Sequence, residues 1–325
     1  MKKIAMNPDL ARTVVNKVLQ TRELSLGLLV IVIVILLMTQ TATFATTGNI
    51  RVLLQGMSVD MMIAVPMAIS LIAGNIDFSV GSVLCLSSAS AGILMGMGVP
   101  TPIAFLIGLA LGGAAGLVNA LIINKLKVTP LVATLGTWMA VRGTAHVVIG
   151  GAVGNLPSGF LTFGRAEPFG IPVTIVYMVI IVIVGMLLIK YVNFFHNAYY
   201  IGSNKVSAKL AGINIEKFIY VSYVTTGMVA AFAGMVLAAR LGSVSQNAGD
   251  GLEFRNVVGL LVGGISMSGG EGKLMGAVMG IFLMQLVNNA IVLLFLNPSY
   301  TRVITGSILV LAVAIDQFNQ HRKSR

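Results

Sequence analysis

The sequence predicts an all-α integral membrane protein with about ten membrane-spanning helices, some of them short or broken, and with both termini in the cytoplasm. Three observations predict this class: composition, apolar runs and the positions of basic residues. Of the 325 residues, 57% are hydrophobic and 10% are charged, and the mean hydropathy is +0.95, whereas about a quarter of the residues of a soluble domain are charged. Because lipid offers no hydrogen-bond partners, the apolar runs are expected to be helices.

The uncharged runs give ten spans along the chain. The first belongs to a run without charge from Ser25 to Ile50, which exceeds the apolar core of a signal peptide, so we expect an uncleaved helix. The chain then divides into a cytoplasmic N-terminal segment (1–24), a transmembrane domain (25–317) and a cytoplasmic tail (318–325). The predicted spans are 26–46, 53–73, 79–97, 102–124, 129–150, 171–189, 217–239, 256–268, 273–295 and 302–317.

Two of these spans are irregular. Only 16 uncharged residues separate Asp60 from Asp77, which is short for a bilayer crossing. Either Asp60 lies inside the membrane or the second span is broken, as is tolerated where helices line a cavity or are buried in protein. The eighth span (256–268) is short and rich in glycine. We expect irregular backbone at both places, and close helix packing at the small residues of 111–120.

Basic residues set the orientation. With the N-terminus inside, fifteen of the 21 Lys and Arg residues fall in inner segments, as expected for cytoplasmic loops. The net charge of +11 is therefore explained by topology. No basic face with interleaved aromatic residues indicates nucleic-acid binding.

The sequence lacks the usual signatures of catalysis. SGGEGK at 268–273 resembles a phosphate-binding loop, but Met267 replaces its first Gly and Leu274 its hydroxyl residue. The lone Cys85 offers no disulfide or thiolate site, and the three histidines are scattered. We expect no catalytic residue, no metal site and no cofactor in this chain, which leaves transport as the predicted function.

Uncharged polar residues are the candidates for a substrate pathway. Gln285, Asn288 and Asn289 lie at i, i+3 and i+4 and share one helix face. Amides and hydroxyls can bind a neutral polyol, or they can join helices by hydrogen bonds. Asn119, Thr134 and Thr137 are the other candidates, and both roles stay open for each of the six.

A short helix is predicted between the sixth and seventh spans, inside the segment 190–216. Ser203 or Asn204 suits its N-terminus and Gly212 its C-terminal end. Val206, Leu210 and Ile213 form an apolar stripe that is expected to rest on the membrane domain. The opposite face, with Asn204, Ala208 and Ala211, is small and is expected to admit a separate soluble subunit. A helix that only covers span ends is the alternative.

Three motifs carry a resemblance to a known family. Tyr200-Ile201-Gly202-Ser203-Asn204, followed by Ala208 and Gly212-Ile213, resembles the cytoplasmic coupling segment of ABC importer permeases of the ribose, galactose and xylose type. The segment 74–82 (GNIDFSVGS) resembles that family's Gly-Gly-Ile-Asp-Leu-Ser-Val-Gly. The segment 262–272 (VGGISMSGGEG) matches a third motif. The similarity covers about residues 30–317, and Asn75 and Ser203 stand where the family usually has Gly.

The resemblance implies a permease subunit in the bacterial inner membrane that pairs with a second permease copy. It implies a periplasmic binding protein that delivers a sugar-like solute, and a cytoplasmic subunit with two nucleotide-binding domains that uses ATP and Mg²⁺. Contact with that subunit would fall on Gly202, Ser203, Asn204, Ala208, Ala211 and Gly212. The turns that flank the cytoplasmic gate would contain Asp77, Ser79, Gly81, Gly264, Ser266, Gly269 and Gly270.

Other functions stay open from the sequence. An ion-coupled secondary carrier would use Asp60 as its coupling site, and a membrane scaffold would transport nothing. Asp77 is expected at the N-terminus of the third span, where a helix dipole favours a carboxylate. The resemblance favours a pentose or hexose, while related permeases also serve nucleosides and branched amino acids, and signalling furanoses and polyols fit the same neutral lining.

Overall fold

The computed structural model describes residues 22–323, and nearly all of its regular structure is helical. A two-stranded antiparallel ribbon pairs Ala152 with Ser245 and Val153 with Val244. The elements in chain order are α1 (Arg22–Gln40), α2 (Thr47–Ile72), α3 (Val80–Gly96), α4 (Thr101–Lys125), α5 (Pro130–Ile149), β1 (Ala152–Val153), α6 (Ser158–Arg165), a 3-10 turn (Pro168–Gly170), α7 (Val173–Tyr191), α8 (Asn193–Ser203), α9 (Lys205–Leu210), α10 (Ile215–Leu241), β2 (Val244–Ser245), α11 (Leu252–Val262), α12 (Leu274–Leu293) and α13 (Tyr300–Lys323).

The predicted all-helical membrane architecture is confirmed. Each of the ten predicted spans overlaps one helix. Within residues 22–323, six helices are long and apolar enough to cross a membrane, namely α2, α4, α7, α10, α12 and the part of α13 up to Phe318. Two further apolar helices, Leu24–Gln40 and α3, are shorter.

The two ends of the helical bundle are marked by different elements. Helix α9 precedes the start of α10, and strand β2 follows its end. Since α10 has 27 residues and rises 1.5 Å per residue, these elements lie about 40 Å apart along it. We refer to the α9 end and the β1–β2 end.

Helix α2 is continuous, so the broken second span that the sequence allowed is wrong. It runs for 26 residues with Pro66 inside and places Asp60 near its middle. Asp60 is 3% exposed, which fits the other expectation, that this carboxylate lies inside the membrane. A partner for the charge, described below, makes this position tolerable.

The irregular backbone instead follows α2. Residues 75–79 have no helical structure and are buried, and the Tyr223 hydroxyl of α10 donates to the Ile76 carbonyl at 2.8 Å. Helix α3 therefore starts inside the protein, where Gly81 packs against Gly249 and Glu253. A non-helical segment at this depth is tolerated because protein, and not lipid, surrounds it.

Helix α11 is the shortest of the predicted spans, as expected, but its position differs from the prediction. It has 11 residues, about 16 Å of helix, or half the hydrocarbon thickness. It begins four residues before the predicted start at 256 and ends at Val262 instead of 268. Gly251 and Gly264, both with positive φ, bound it on either side.

The core is built on close contact between α4 and α10. A side chain at Gly112 would overlap the Gly227 carbonyl, and one at Gly116 would overlap the Tyr223 carbonyl. The predicted close packing of 111–120 is thus confirmed, since glycine lets the two backbones touch.

The chain ends fall partly outside the described residues. Of the predicted N-terminal segment 1–24, residues 1–21 lie outside them, with the basic residues that helped to set the orientation. At the other end α13 continues to Lys323, so residues 318–323 of the predicted tail extend a helix.

Candidate functional site

The short helix α9 forms where the sequence predicts it. Asn204 separates it from α8 with an extended backbone, and its side-chain Oδ1 accepts a hydrogen bond from the Ser207 N–H at 2.9 Å. Gly212 ends it with φ +82°, a left-handed conformation that glycine adopts without strain. The Ile213 N–H then bonds the Ala208 carbonyl at 3.0 Å. Caps at both ends stabilise a helix of only six residues.

The expected orientation of this helix is wrong. Val206 and Leu210 are 70% and 85% exposed, while Ala208 is 4% exposed. The small residue faces the bundle because it allows the close approach, and the large apolar residues point outward. Lys205 and Lys209 are exposed beside them. We call Lys205, Val206, Lys209 and Leu210 the α9 surface.

Helix α8 is fixed to the end of α2 and to the segment 264–273. A side chain at Gly202 would overlap the Ile72 carbonyl and the Gly270 amide, and the Gly270 N–H bonds that carbonyl at 2.7 Å. The Tyr199 hydroxyl donates to the Gly272 carbonyl at 2.9 Å. Burial raises the pKa of the Tyr199 phenol, so it stays protonated as the donor. Displacement of α8 would therefore displace α2 and this segment.

The remaining predicted coupling residues have differing surroundings. Ser203 is the last residue of α8, and its Oγ donates to the Tyr199 carbonyl at 2.8 Å. Ala211 and Gly212 are exposed. Beside them lies a groove of about 760 Å³ between the α4–α5 connection and α9, with Lys127, Lys205, Lys209 and Glu216 among its lining residues. The groove and the α9 surface form one continuous, mainly basic face.

The two predicted gate turns meet only in part. A side chain at Gly269 would overlap the Gly74 amide and approach Gly202, so the three backbones come together at the α9 end. From Gly74 the segment 74–82 runs into the protein, away from 264–273. Gly81, a predicted gate residue, therefore packs against Glu253 and does not contact the second turn.

The segment 264–273 is also tied to α13. The Asp316 carboxylate accepts hydrogen bonds from the Ser266 hydroxyl at 3.0 Å and from the Met267 N–H at 3.1 Å. Gly264 has φ +91° and follows the end of α11. A movement of α8 would thus reach α11 and α13 as well as α2.

Asp77 was expected to cap α3, but Ser79 holds the N-cap position and Asp77 lies just before it in the non-helical segment. Its Oδ1 accepts from the Ser79 N–H at 2.8 Å and from the Ser79 hydroxyl at 2.6 Å. Asn119 of α4 donates to the same hydroxyl at 2.9 Å. The three buried side chains form one hydrogen-bonded row, which places Asn119 beside two predicted gate residues.

A bidentate ion pair lies between α2 and α11. Arg255 Nε and Nη2 contact the two Asp60 oxygens at 2.7 and 2.9 Å. Asn256 adds a bond from its Nδ2 to the Asp60 carbonyl at 3.2 Å. This fork geometry satisfies both charges, and it leaves the carboxylate engaged instead of available to a transported ion.

The three amides of α12 bind neighbouring helices near the β1–β2 end. Asn289 and Asn49 exchange two side-chain hydrogen bonds, at 2.9 and 3.2 Å. Asn288 accepts from the Thr301 hydroxyl at 3.3 Å, and Gln285 lies against Gly56. These contacts fit the joining role, and the pathway role of these residues stays a prediction.

Thr134 and Thr137 lie on α5, apart from the amides. Both are buried, and their hydroxyls donate to carbonyls of their own chain segment, Pro130 at 2.9 Å and Ala133 at 3.0 Å. A Thr hydroxyl used in this way still has an acceptor free. Their pathway role also stays a prediction.

Some functional candidates were missed by the sequence reasoning. Glu253 and Trp138 are separated by more than a hundred residues in sequence but are brought together by α11 and α5. The signal available was a single carboxylate at the start of a predicted short span and the one tryptophan of the chain. In residues 22–323, no group of three or more His, Cys, Asp or Glu side chains is arranged to hold a metal ion.

Comparisons with known proteins agree over most of the chain. A family model described as the permease component of the branched-chain amino acid transport system matches residues 48–313. The ribose import permease protein RbsC of Escherichia coli (strain K12) is 31% identical over 87% of this chain and 89% of that protein. The D-allose transport system permease protein AlsC of the same strain is 32% identical over 84% and 85%. Its L-arabinose transport system permease protein AraH is 34% identical over 86% of each chain.

Proposed function

Because this chain belongs to the family of permease components of branched-chain amino acid transport systems, we propose that it is the permease subunit of an ATP-driven importer of a sugar or similar small polar solute. The substrate class rests on the ribose, allose and arabinose permeases that resemble this chain over more than four-fifths of its length. The protein is a multi-pass protein of the bacterial inner membrane. We further propose ten spans and cytoplasmic termini, which the lysines gathered at the α9 end support.

The arrangement of α8 and α9 carries the proposal. Helix α9 presents two exposed apolar side chains between exposed lysines, while α8 is locked by Gly202 to α2 and to the 264–273 segment. A cytoplasmic subunit with two nucleotide-binding domains would dock on the α9 surface. Its ATP- and Mg²⁺-dependent movements would shift α8, and with it the ends of α2 and α11.

A second permease copy would cover α5. This helix exposes Gly136, Ala140, Gly143 and Thr144, and a Cβ added at either glycine would meet no other atom within 4 Å. Helix α5 also exposes large apolar residues such as Val132 and Met139, whereas α7 exposes aliphatic residues, such as Ile183, without an exposed glycine. A small and partly polar face is poorly suited to lipid and well suited to another helix. A periplasmic binding protein would deliver the solute at the β1–β2 end.

The ion-coupled carrier is the weaker hypothesis. Its proposed coupling group, Asp60, is held by both oxygens in the ion pair with Arg255. Proton or sodium coupling requires a carboxylate that can exchange its partner during transport. The family and its sugar-permease relatives also favour an ATP-driven importer.

Reconstitution tests the proposal. The chain is placed in proteoliposomes with its ATP-binding subunit and binding protein, and uptake of radiolabelled D-ribose, D-allose and L-arabinose is measured. We expect uptake that requires ATP hydrolysis and survives a protonophore and a sodium ionophore. Uptake that collapses with an ion gradient while ATP remains would establish the carrier instead. Concentrative uptake by this chain alone would also overturn the proposal.

A further inference from the structure

Two side chains of α5 approach two side chains of α11. Three of the four are half-buried, and Glu253 is buried. Trp138 and Arg142 lie one helical turn apart on α5. The Trp138 ring meets the Phe254 ring of α11 at 6.3 Å and 81°, and the Arg142 charge acts on Glu253. We call Trp138, Arg142, Glu253 and Phe254 the α5–α11 cluster.

The cluster holds polar atoms without good partners. Glu253 is fully buried, and neither of its side-chain oxygens makes a hydrogen bond of normal geometry with any described residue. The N–H groups of Gly251 and of Glu253 itself lie close to that carboxylate. The Trp138 Nε1 is likewise buried and unbonded among residues 22–323. A buried carboxylate without a well-formed hydrogen bond is costly. The first turn of α11 and the nearby Arg142 charge offset part of that cost, and both oxygens keep the capacity to accept hydrogen bonds from a ligand.

Arg142 is only partly committed. Its Nη1 donates to the Ala248 carbonyl at 2.8 Å and reaches the Gln246 carbonyl at 3.5 Å, and the Cys85 thiol lies nearby. Its Nε and Nη2 are buried and have no hydrogen-bond partner in the described part of the chain. The guanidinium is thus held in place by one nitrogen, and its other two nitrogens have three N–H groups left to donate.

We propose that the α5–α11 cluster is a binding subsite for one sugar molecule on its way through the permease. A sugar presents adjacent hydroxyls, which donate and accept, and a C–H face, which packs on an aromatic ring. Glu253 supplies two acceptor oxygens, Arg142 and Trp138 supply four N–H donors on three nitrogens, and the Trp138 and Phe254 rings supply the apolar wall. A free amino acid would offer its ammonium to Glu253 and its carboxylate to Arg142, so the sugar assignment rests on the ribose, allose and arabinose permeases that resemble this chain, and leucine is the competing ligand in the test.

The subsite is closed in this structure. Gly81, in the first turn of α3, packs directly on the Glu253 carboxylate and leaves no room for a Cβ. The segment before it leads back to Gly74, which touches Gly269 at the α9 end. A displacement that starts at α8 would therefore move the residue that covers Glu253. Trp138 and Phe254 are only partly buried and form the entrance.

This inference rests on the proposed function, and the single tryptophan of the chain gives it a direct readout. The full chain is assembled in lipid nanodiscs with a tryptophan-free form of its ATP-binding subunit, which is held in the nucleotide-bound state so that α8 can be displaced. This complex is titrated with D-ribose, D-allose, L-arabinose and L-leucine while Trp138 emission is recorded. We expect a saturable change with at least one sugar and none with leucine. Glu253→Gln should raise the dissociation constant for that sugar about tenfold to a hundredfold, as for loss of a charged hydrogen bond.

The matched control is Asp250→Asn, which removes a carboxylate three residues earlier that pairs with Arg302 at 2.8 Å. We expect its dissociation constant to stay within twofold of wild type. Arg142→Gln provides a second cluster variant with an expected tenfold weakening, should Glu253→Gln fail to fold, as judged by its thermal melt.

Three results separate the outcomes. If ATP-driven sugar uptake occurs but Trp138 emission responds to no transported sugar, the subsite is wrong and the proposed function stands. The same conclusion follows if the cluster variants and Asp250→Asn shift the constant equally. If leucine and no sugar is transported and changes the emission, the sugar assignment is wrong for both the function and the subsite.

Discussion

The α9 surface yields the sharpest prediction. The double variant Val206→Ala and Leu210→Ala removes most of its apolar area and leaves both lysines. Because Val206 is 70% and Leu210 is 85% exposed in the free chain, neither side chain contributes much to folding. Their removal should act on binding of the ATP-binding subunit and not on the permease itself.

The magnitude follows from the carbon atoms removed. Each buried methylene contributes about 0.8 kcal/mol. The two substitutions delete roughly five such groups, of which about four-fifths are exposed before docking, so a complete loss amounts to about 3 kcal/mol. Since about 1.4 kcal/mol corresponds to a tenfold change in affinity, binding should weaken about a hundredfold.

The assay measures the dissociation constant of the purified permease for its ATP-binding subunit in nanodiscs, with a thermal melt of each variant. The control is Leu187→Ala on α7, whose side chain is 49% exposed and lies away from α9. We expect unchanged affinity for the control and unchanged melting for the double variant. Wild-type affinity in the double variant would refute the docking role of the α9 surface. A melting point lowered by many degrees would instead show that these residues hold the fold.

Three further predictions concern the membrane interior. Asp60→Asn leaves Arg255 buried without a counter-charge, so the free energy of unfolding should fall by about 3–5 kcal/mol. The double variant Asp60→Leu and Arg255→Met removes both charges, so its free energy of unfolding should lie closer to that of wild type. Equal thermal melts for wild type and both variants would contradict this. Gly116→Leu places a side chain on the Tyr223 backbone, so little folded protein should elute in size-exclusion chromatography, and a normal yield would disprove the close contact. Asn289→Ala separates the two roles of this amide: a helix-joining pair worth about 0.6 kcal/mol leaves sugar uptake per folded molecule within twofold, whereas the predicted pathway role requires a loss of about tenfold or more.

Local chemistry made the helices and their ends predictable. The small residues of 111–120 indicated a close helix contact without naming the partner helix, which is α10. Asn204 and Gly212 located both ends of α9 because capping depends on neighbouring residues only. The caps of α9 join residues close together in the sequence, and the helix contact at 111–120 depends on small side chains alone.

Long-range packing explains what the sequence did not reveal. The partner of Asp60 is Arg255, 195 residues away, and nothing in the local pattern around either residue names the other. The orientation of α9 was wrong because α8 fixes it through contacts with α2 and Gly270, whereas the apolar stripe of an isolated helix predicts burial. Of the stripe, Ile213 packs against the core while Val206 and Leu210 are exposed, and these two are the residues that we propose to bind the ATP-binding subunit.

The continuity of α2 has a mechanical consequence. One helix of 26 residues, about 39 Å long, touches Gly270 at the α9 end of the bundle through the Ile72 carbonyl, carries Asp60 at its middle and bears Asn49 near its opposite end. It can act as a lever: if the α9 end is held, a tilt of about 5° moves the opposite end by about 3 Å. The two ends of the bundle are thus joined by one continuous helix, without a relay of side chains.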